Sequence, residues 1–449
     1  MLVLALGVAL GIGGFYAFSP AAAAQAQTLT EEEKVKLRAE YDQLQKEIAQ
    51  WQKVLDETRN KKNTLQGDVT ALDAQIKKAQ AEIRNRNLTI SQLAGEINAR
   101  TTKIATLESR LEDGMTSLAK LLRDKNEVET TSLVIMALSS EDLSEFFSTV
   151  DDIDVLNREL QTHFDELRGI KTQTQKEKEQ LAVRKDQELD ARFEVQVREQ
   201  AIEENKQVKD ELLSITKNEE KAYGEVLAER QRKAAEIYAR LFPLRDTEGI
   251  KFGDAVAYAK TAASKTGVRA VLILAVLSQE SALGSNVGNC LVTNLSTGDG
   301  KGKNTGTPIA KVMKAPRDTV PFERITAALG KDWKATPVSC PQASGYGGAM
   351  GPTQFIPSTW EIFEPRLKKA LGVSATNPWN AGHAIMATGL YLADSGAGAQ
   401  TYSAERNAAC SYFSGRKCPN SGGWIDTYAN SVVAKATAYQ KDIDALADL

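Results

Sequence analysis

The sequence predicts an all-α chain in two unlike halves, a long antiparallel coiled-coil hairpin followed by a mostly α-helical globular domain. Three observations predict it. Apolar residues recur every seven positions over about ninety residues. A second long helical stretch of similar length follows after a short break. The remaining two hundred or so residues hold several helix-length periodic segments and few strand signals.

Charge separates the halves as well. Of the 449 residues, 1–250 carry 36 Lys and Arg against 45 Asp and Glu, net −9, whereas 251–449 carry 20 against 14, net +6. A surplus of six spread over two hundred residues suits an anionic polymer but is too diffuse for nucleic acid. No nucleic-acid partner is expected. All four cysteines, Cys290, Cys340, Cys410 and Cys418, lie in the second half.

Residues 1–30 are uncharged, and 2–18 form an apolar run followed by Ala-x-Ala cleavage sites. Residues 1–26 therefore read as a secretory signal peptide or an uncleaved N-terminal anchor, although no Lys or Arg precedes the run. Either predicts an exported, extracytoplasmic protein, secreted or membrane-anchored. Residues 27–241 form the coiled coil. Ile76, Ile83, Ile90, Ile97, Ile104, Leu111 and Leu118 share one heptad register, with Leu72, Ala79, Leu93 and Leu107 on its companion. The stretch 132–150 breaks the register and makes an apolar helical tip that includes Leu138, Leu143, Phe146 and Phe147. Such a tip is a small local core or a docking site. A looser second helix returns to Leu241, with a nearly all-polar stretch at 171–179. Phe242-Pro243 ends it, 242–250 is a linker, and 251–449 is the globular domain.

In that domain, residues 271–284 read V-L-I-L-A-V-L-S-Q-E-S-A-L-G. Seven apolar residues predict a helix buried on every side. Glu280 shares a face with Ile273, Val276 and Leu277, so its pKa should be raised, as a general acid requires near neutral pH. A surface glutamate at a helix end is the competing reading. Residues 298–306, G-D-G-K-G-K-N-T-G, form a flexible loop whose spacing fails the phosphate-binding pattern. Further helices are expected near 255–264, 321–329, 358–370 with Ser358 as its cap, 381–394, 403–413 and 423–446.

Other chemistries find little support. The two histidines, His163 and His383, sit in no metal-binding pattern, so no metal and no cofactor are expected. Four cysteines in an exported chain suit two disulfides better than a nucleophile paired with His383. Neighbour order suggests Cys290–Cys340 and Cys410–Cys418, one of three pairings.

Four segments then carry a resemblance. Q-E-S at 279–281 and G-A-M-G-P-T-Q-F-I-P-S-T-W at 348–360 are followed by N-P-W-N-A-G-H-A-I-M-A-T-G-L-Y-L-A-D-S-G at 377–396 and A-A-C-S-Y-F-S-G at 408–415. In this order they resemble the goose-lysozyme-like lytic transglycosylases, nearest the membrane-bound murein transglycosylase B group. The resemblance implies a lysozyme-like catalytic domain that cleaves peptidoglycan glycan strands between N-acetylmuramic acid and N-acetylglucosamine, leaving a 1,6-anhydro end. It implies Glu280 as the single catalytic acid and then base, with Ser281 orienting its carboxylate. Gln354 and Tyr412 would line the sugar subsites, with Tyr346, Met350 and Phe355 as further candidates. Phe413 stands where the family usually has Asn, and Asn377 and His383 where Asp is common.

Residues 31–241 are similar to the coiled-coil regions of FtsEX-regulated peptidoglycan hydrolases and activators such as the EnvC and PcsB groups. That resemblance implies a role in cell division and an FtsX-type membrane partner at the tip. A non-catalytic wall-binding scaffold that activates another hydrolase is the alternative from a different class.

Overall fold

The computed structural model describes residues 65–129, 143–214, 249–342, 345–419 and 423–447, with residues 46, 48–50, 228 and 232 isolated between them. The signal or anchor, Leu138 and most of the linker lie outside the described residues, as do the side chains of Leu143, Phe146 and Phe147. Among the described residues no helix is long and apolar enough to cross a membrane. The expected all-α architecture is found, apart from one small sheet.

By contacts the chain divides into two compact units, residues 1–39 with 91–181 and residues 40–90 with 182–449. Two long helices, α1 (Leu65–Glu129) and α2 (Leu143–Ser214), contribute to both. Within the first unit Arg100 and Lys103 each meet Glu177 at 2.6 Å, and a Cβ on Gly114 would strike Leu167. Positions rising along α1 thus meet positions falling along α2, so the helices are antiparallel. Ile104 and Leu107, on the two predicted registers, are buried in the seam. The polar stretch of α2 lies there too, and Glu177 is only 7% exposed. A carboxylate gripped by two cations in an apolar seam fixes register more than it adds stability. The second unit repeats the pattern, with Asp73–Lys209 at 2.6 Å and Glu82–Arg198 and Arg86–Glu194 at 2.7 Å.

The rest of the second unit begins with α3 (Phe252–Thr266), stopped by Gly267 in the left-handed conformation. Next come α4 (Ala270–Ser281), α5 (Thr319–Ala328), α6 (Pro357–Leu371), α7 (Ala381–Asp394), α8 (Tyr402–Ser414) and α9 (Trp424–Ala447). Every residue of α4 from Val271 to Leu277 is buried, as the unbroken apolar run requires. It packs against α3, α7 and α9. Arg269, just before α4, forms a two-pronged ion pair with Glu405 of α8 at 2.7 and 2.6 Å, with Glu405 only 1% exposed.

Two local expectations are corrected. Ser358 does not cap its helix: α6 starts at Pro357, and the Ser358 hydroxyl donates to the buried Asp318 at 2.6 Å. Residues 298–306 are no flexible loop either. They contain β2 (Gly300–Gly302), which lies between β1 (Cys290–Val292) and β3 (Pro308–Ile309) in an antiparallel sheet with Cys290 opposite Gly302. A Cβ on Gly300 would sit 2.1 Å from the Leu291 carbonyl, so the glycine that suggested a loop is there for close backbone approach.

The cysteines pair in neighbour order, Cys290 with Cys340 and Cys410 with Cys418, across sequence separations of 50 and 8. Closure of the longer loop constrains the unfolded chain more. Replacing Cys290 and Cys340 by Ser should cost about 4 kcal/mol and replacing Cys410 and Cys418 about 2.5 kcal/mol. Chemical denaturation of the two double variants measures the order, and equal losses would refute the loop-length argument.

Candidate active site

Glu280 lies in the last turn of α4, which ends because Ala282 and Leu283 both take left-handed conformations with φ of 49° and 59°. Burial pushes its carboxyl up from the ordinary 4.5 to about 7, against the opposing pull of one hydrogen bond. That bond comes from the Tyr428 hydroxyl on α9, which donates to Glu280 Oε1. Tyr428 and Tyr412 are themselves held well above the ordinary tyrosine value, first by burial and then by the Glu280 charge. Both therefore stay protonated. The neighbouring Gln279 is occupied elsewhere, accepting from Lys435 Nζ at 2.7 Å and Ser431 Oγ at 3.0 Å.

The segment 350–355 forms a tight turn beside α4. Met350 N–H donates to the Phe355 carbonyl at 2.8 Å, closing the turn. Gly351 is obligatory within it: its φ is +65°, and a Cβ would lie 2.0 Å from the Pro378 carbonyl. Gln354 takes φ of 56°, a strained value for a residue with a side chain, and its Nε2 donates to the Gly351 carbonyl at 2.7 Å. Two hydroxyls then stitch the turn in place. Ser281 Oγ donates to the Pro352 carbonyl and Tyr412 Oη to the Thr353 carbonyl, each at 2.5 Å.

Of the residues singled out in the sequence, Glu280, Tyr412 and the turn carrying Gln354 come together. Others are placed differently from expectation. Ser281 is 2% exposed and engages Pro352, the Leu277 carbonyl and the Gly284 N–H rather than the Glu280 carboxylate. It aligns the turn with the helix end. Met350 is wholly buried. Phe355, 4% exposed, makes edge contacts with Trp360, Phe363, Tyr391 and Tyr412. Both back the turn from the core side and present no face to a ligand. Tyr346 is exposed, with Lys314 Nζ 5.9 Å from its ring centroid.

Tyr428 was not singled out from the sequence; the only signal was its place on the buried face of α9, in step with Val432 and Ala436. Phe413 stacks on it at 4.4 Å with rings 13° apart and so supports the tyrosine that holds Glu280. His383 Nδ1 accepts the Asn377 N–H at 3.0 Å, and burial lowers its pKa. Asn380 caps α7 by accepting the His383 N–H at 3.1 Å. These polar residues shape the helix start. Asp299 accepts from Thr297 and Lys311, and Glu361 pairs with Arg324. Among the described residues one cluster has metal-ligand spacing, Cys410, Cys418 and Asp426, but its two thiols form a disulfide and its carboxylate pairs with Arg406.

A half-buried carboxyl with a value near neutrality can give up or take a proton near neutral pH. Residues 185–396, the stretch that carries Glu280 and the 350–355 turn, match the family model described as a transglycosylase SLT domain. Three solved structures resemble the chain. A 36 kDa muramidase/transglycosylase shares 15% identity over 42% of this chain and 61% of its own, with a TM-score of 0.22. The Escherichia coli lytic transglycosylase Slt35 in complex with calcium shares 16% over 43% of this chain and 58% of its own, with a TM-score of 0.22. The same enzyme in complex with bulgecin A shares 16% over 42% and 61%, with a TM-score of 0.21. The chain thus spans about three fifths of the length of these structures. No curated protein matches it.

The raised carboxyl makes a prediction that needs no substrate. Between the ordinary 4.5 and about 7 the folded chain keeps the Glu280 proton that the unfolded chain has lost. The stability this gives is full below the unfolded value and is lost as pH rises through the folded one. Glu280→Gln should therefore change stability little near pH 4.5 and stabilise the fold by about 2–3 kcal/mol at pH 8. Denaturation at both pH values tests this; a difference that does not vary with pH would mean the carboxyl titrates normally.

Proposed function

We propose that this chain is an exported peptidoglycan lytic transglycosylase that cleaves the bond between N-acetylmuramic acid and N-acetylglucosamine with a 1,6-anhydro product. The observation that carries the reading is the Glu280 carboxyl, raised to about 7 at the end of a fully buried helix inside a transglycosylase SLT match. Most glycosidases divide acid and nucleophile between two carboxylates. The acids nearest the motifs, Asp299 and Glu361, are tied to other partners, which favours a mechanism with one.

In that mechanism Glu280 enters protonated and gives its proton to the leaving glycosidic oxygen as the C–O bond breaks. The N-acetyl group stabilises the oxocarbenium-like centre. The C6 hydroxyl of the same sugar then forms the new C–O bond, and the Glu280 carboxylate takes the hydroxyl proton, so acid and base are one residue. Tyr428 remains protonated and donates to Oε1 throughout. Gln354 is the sugar-binding residue of the turn that Tyr412 fixes through Thr353, and the exposed Tyr346 is a further subsite candidate.

The arm of residues 27–241 regulates or positions this domain, in cell division, through an FtsX-type membrane partner at its apolar tip. The support is the coiled-coil pattern and the apolar residues 133–147 in the sequence. Charged substitutions at Phe146 and Phe147 should abolish partner capture while sacculus cleavage is retained; unchanged capture would remove the docking role.

Purified sacculi digested with the full chain should yield 1,6-anhydro muropeptides by mass spectrometry. Glu280→Gln should lower the yield by about a thousand-fold or more, the scale set by loss of the essential proton donor and acceptor. Anhydro products at wild-type rate from the variant would overturn the mechanism. Sacculus binding with no product from either protein would identify a wall-binding scaffold instead.

A further inference from the structure

We propose that the base of the arm is a strut for the site, with Asp190 and Phe193 of α2 as positioning residues that hold the first turn of α8. The inference rests on the reading of Glu280 given above. Asp190 Oδ1 accepts the Ser403 N–H at 2.6 Å, and its Oδ2 accepts the Ser403 hydroxyl at 2.9 Å. The first N–H groups of a helix have no partner within it. In α8 the Ala404 N–H goes to Thr401 at 3.3 Å, whereas the Ser403 N–H is taken from outside by the arm. A carboxylate there also meets the positive end of the helix dipole. One turn of α2 further on, the Phe193 ring stacks on Tyr402 at 4.2 Å with planes 16° apart. A third tie joins Glu204 to Lys441 of α9 at 2.5 Å, but both ends are exposed, so it adds little.

Asp186, one turn before Asp190, has its carboxyl raised by burial and then by Asp190, against the opposing pull of Lys417, just beyond α8, and Arg406 on it. The transglycosylase SLT match itself begins at residue 185, on this part of α2.

What α8 carries at its other end gives the contact its consequence. The helix has 13 residues and is about 20 Å long. Its last turn supplies Tyr412, whose hydroxyl pins the 350–355 turn, and Phe413, which stacks on the tyrosine that donates to Glu280. Glu405 in its first turn is bound to Arg269 at the start of α4. A rigid helix held at one end by the arm thus carries, at the other, side chains that fix the 350–355 turn and Tyr428. Hydrogen bonds, an ion pair and a ring contact from α2 reach Tyr402, Ser403 and Lys441. This part of α2 supports the helix that carries the site residues.

The test uses the full chain, with Asp190→Ala/Phe193→Ala against wild type and Asp190→Asn as the conservative variant. The double variant should lose about ten-fold in turnover on sacculi, as small misplacements of catalytic groups do, with KM for a soluble glycan little changed. The titratable groups that face Glu280 are Tyr412 from α8 and Tyr428 from α9. Loosening them admits water, so the alkaline limb of the pH profile should move to lower pH, a change that stability loss alone does not produce. Asp190→Asn keeps an acceptor for the Ser403 N–H and should recover most of the activity. Unchanged or higher turnover from the folded double variant overturns the strut. Should the double variant not fold, Asp190→Ala alone decides, with a few-fold loss expected and none overturning the proposal. An inert wild type would instead count against the transglycosylase reading, so the two failures are separable.

Discussion

Burial of α4 on every side is the constraint on which the rest of the domain depends. Seven consecutive apolar residues cannot face water on any side, so α3, α7 and α9 must surround them. A helix held that way is rigid, and whatever side chain follows the run is delivered to a fixed place. Here that side chain is Glu280. The same packing that fixes its position removes water from its carboxyl and lifts it to about 7. Position and proton affinity therefore have one cause.

The surroundings of Glu280 are assembled by residues that are polar in sequence but structural in role. Ser281 and Tyr412 spend their hydroxyls on adjacent carbonyls, Pro352 and Thr353, and so tie the turn to two helices at once. Each bond on its own is worth about 1 kcal/mol. Their value lies in fixing a turn whose Gln354 is held in a strained conformation. Phe413 does the same for Tyr428 by stacking.

The α8 helix joins these parts. It meets α4 through Glu405 and Arg269, the turn through Tyr412, α9 through Phe413 and the ion pair of Arg406 with Asp426, and the arm through Ser403. A change at any of these contacts can reach the others through a stiff element without motion of α4 itself.

The sequence by itself determined whatever depends on local period or on composition. The heptads gave two long helices, the unbroken apolar run gave α4, and the boundaries of α7 and α9 fell within a residue or two of those expected. A carboxylate after that run made Glu280 a candidate, and the motifs at 348–360, 377–396 and 408–415 were needed to prefer it over a surface glutamate. Only the tertiary structure decided what surrounds it. Tyr428 lies 148 residues from Glu280, and Asp190 213 residues from Ser403, separations at which periodicity carries no information. For the same reason Ser281, Met350 and Phe355 changed roles, since whether a residue faces a ligand or the core depends on which distant element packs against it. The glycine-rich segment misled because glycine serves both a loop and a strand that must press against another backbone. Which of the two it is depends on the partner strand, here Cys290–Val292.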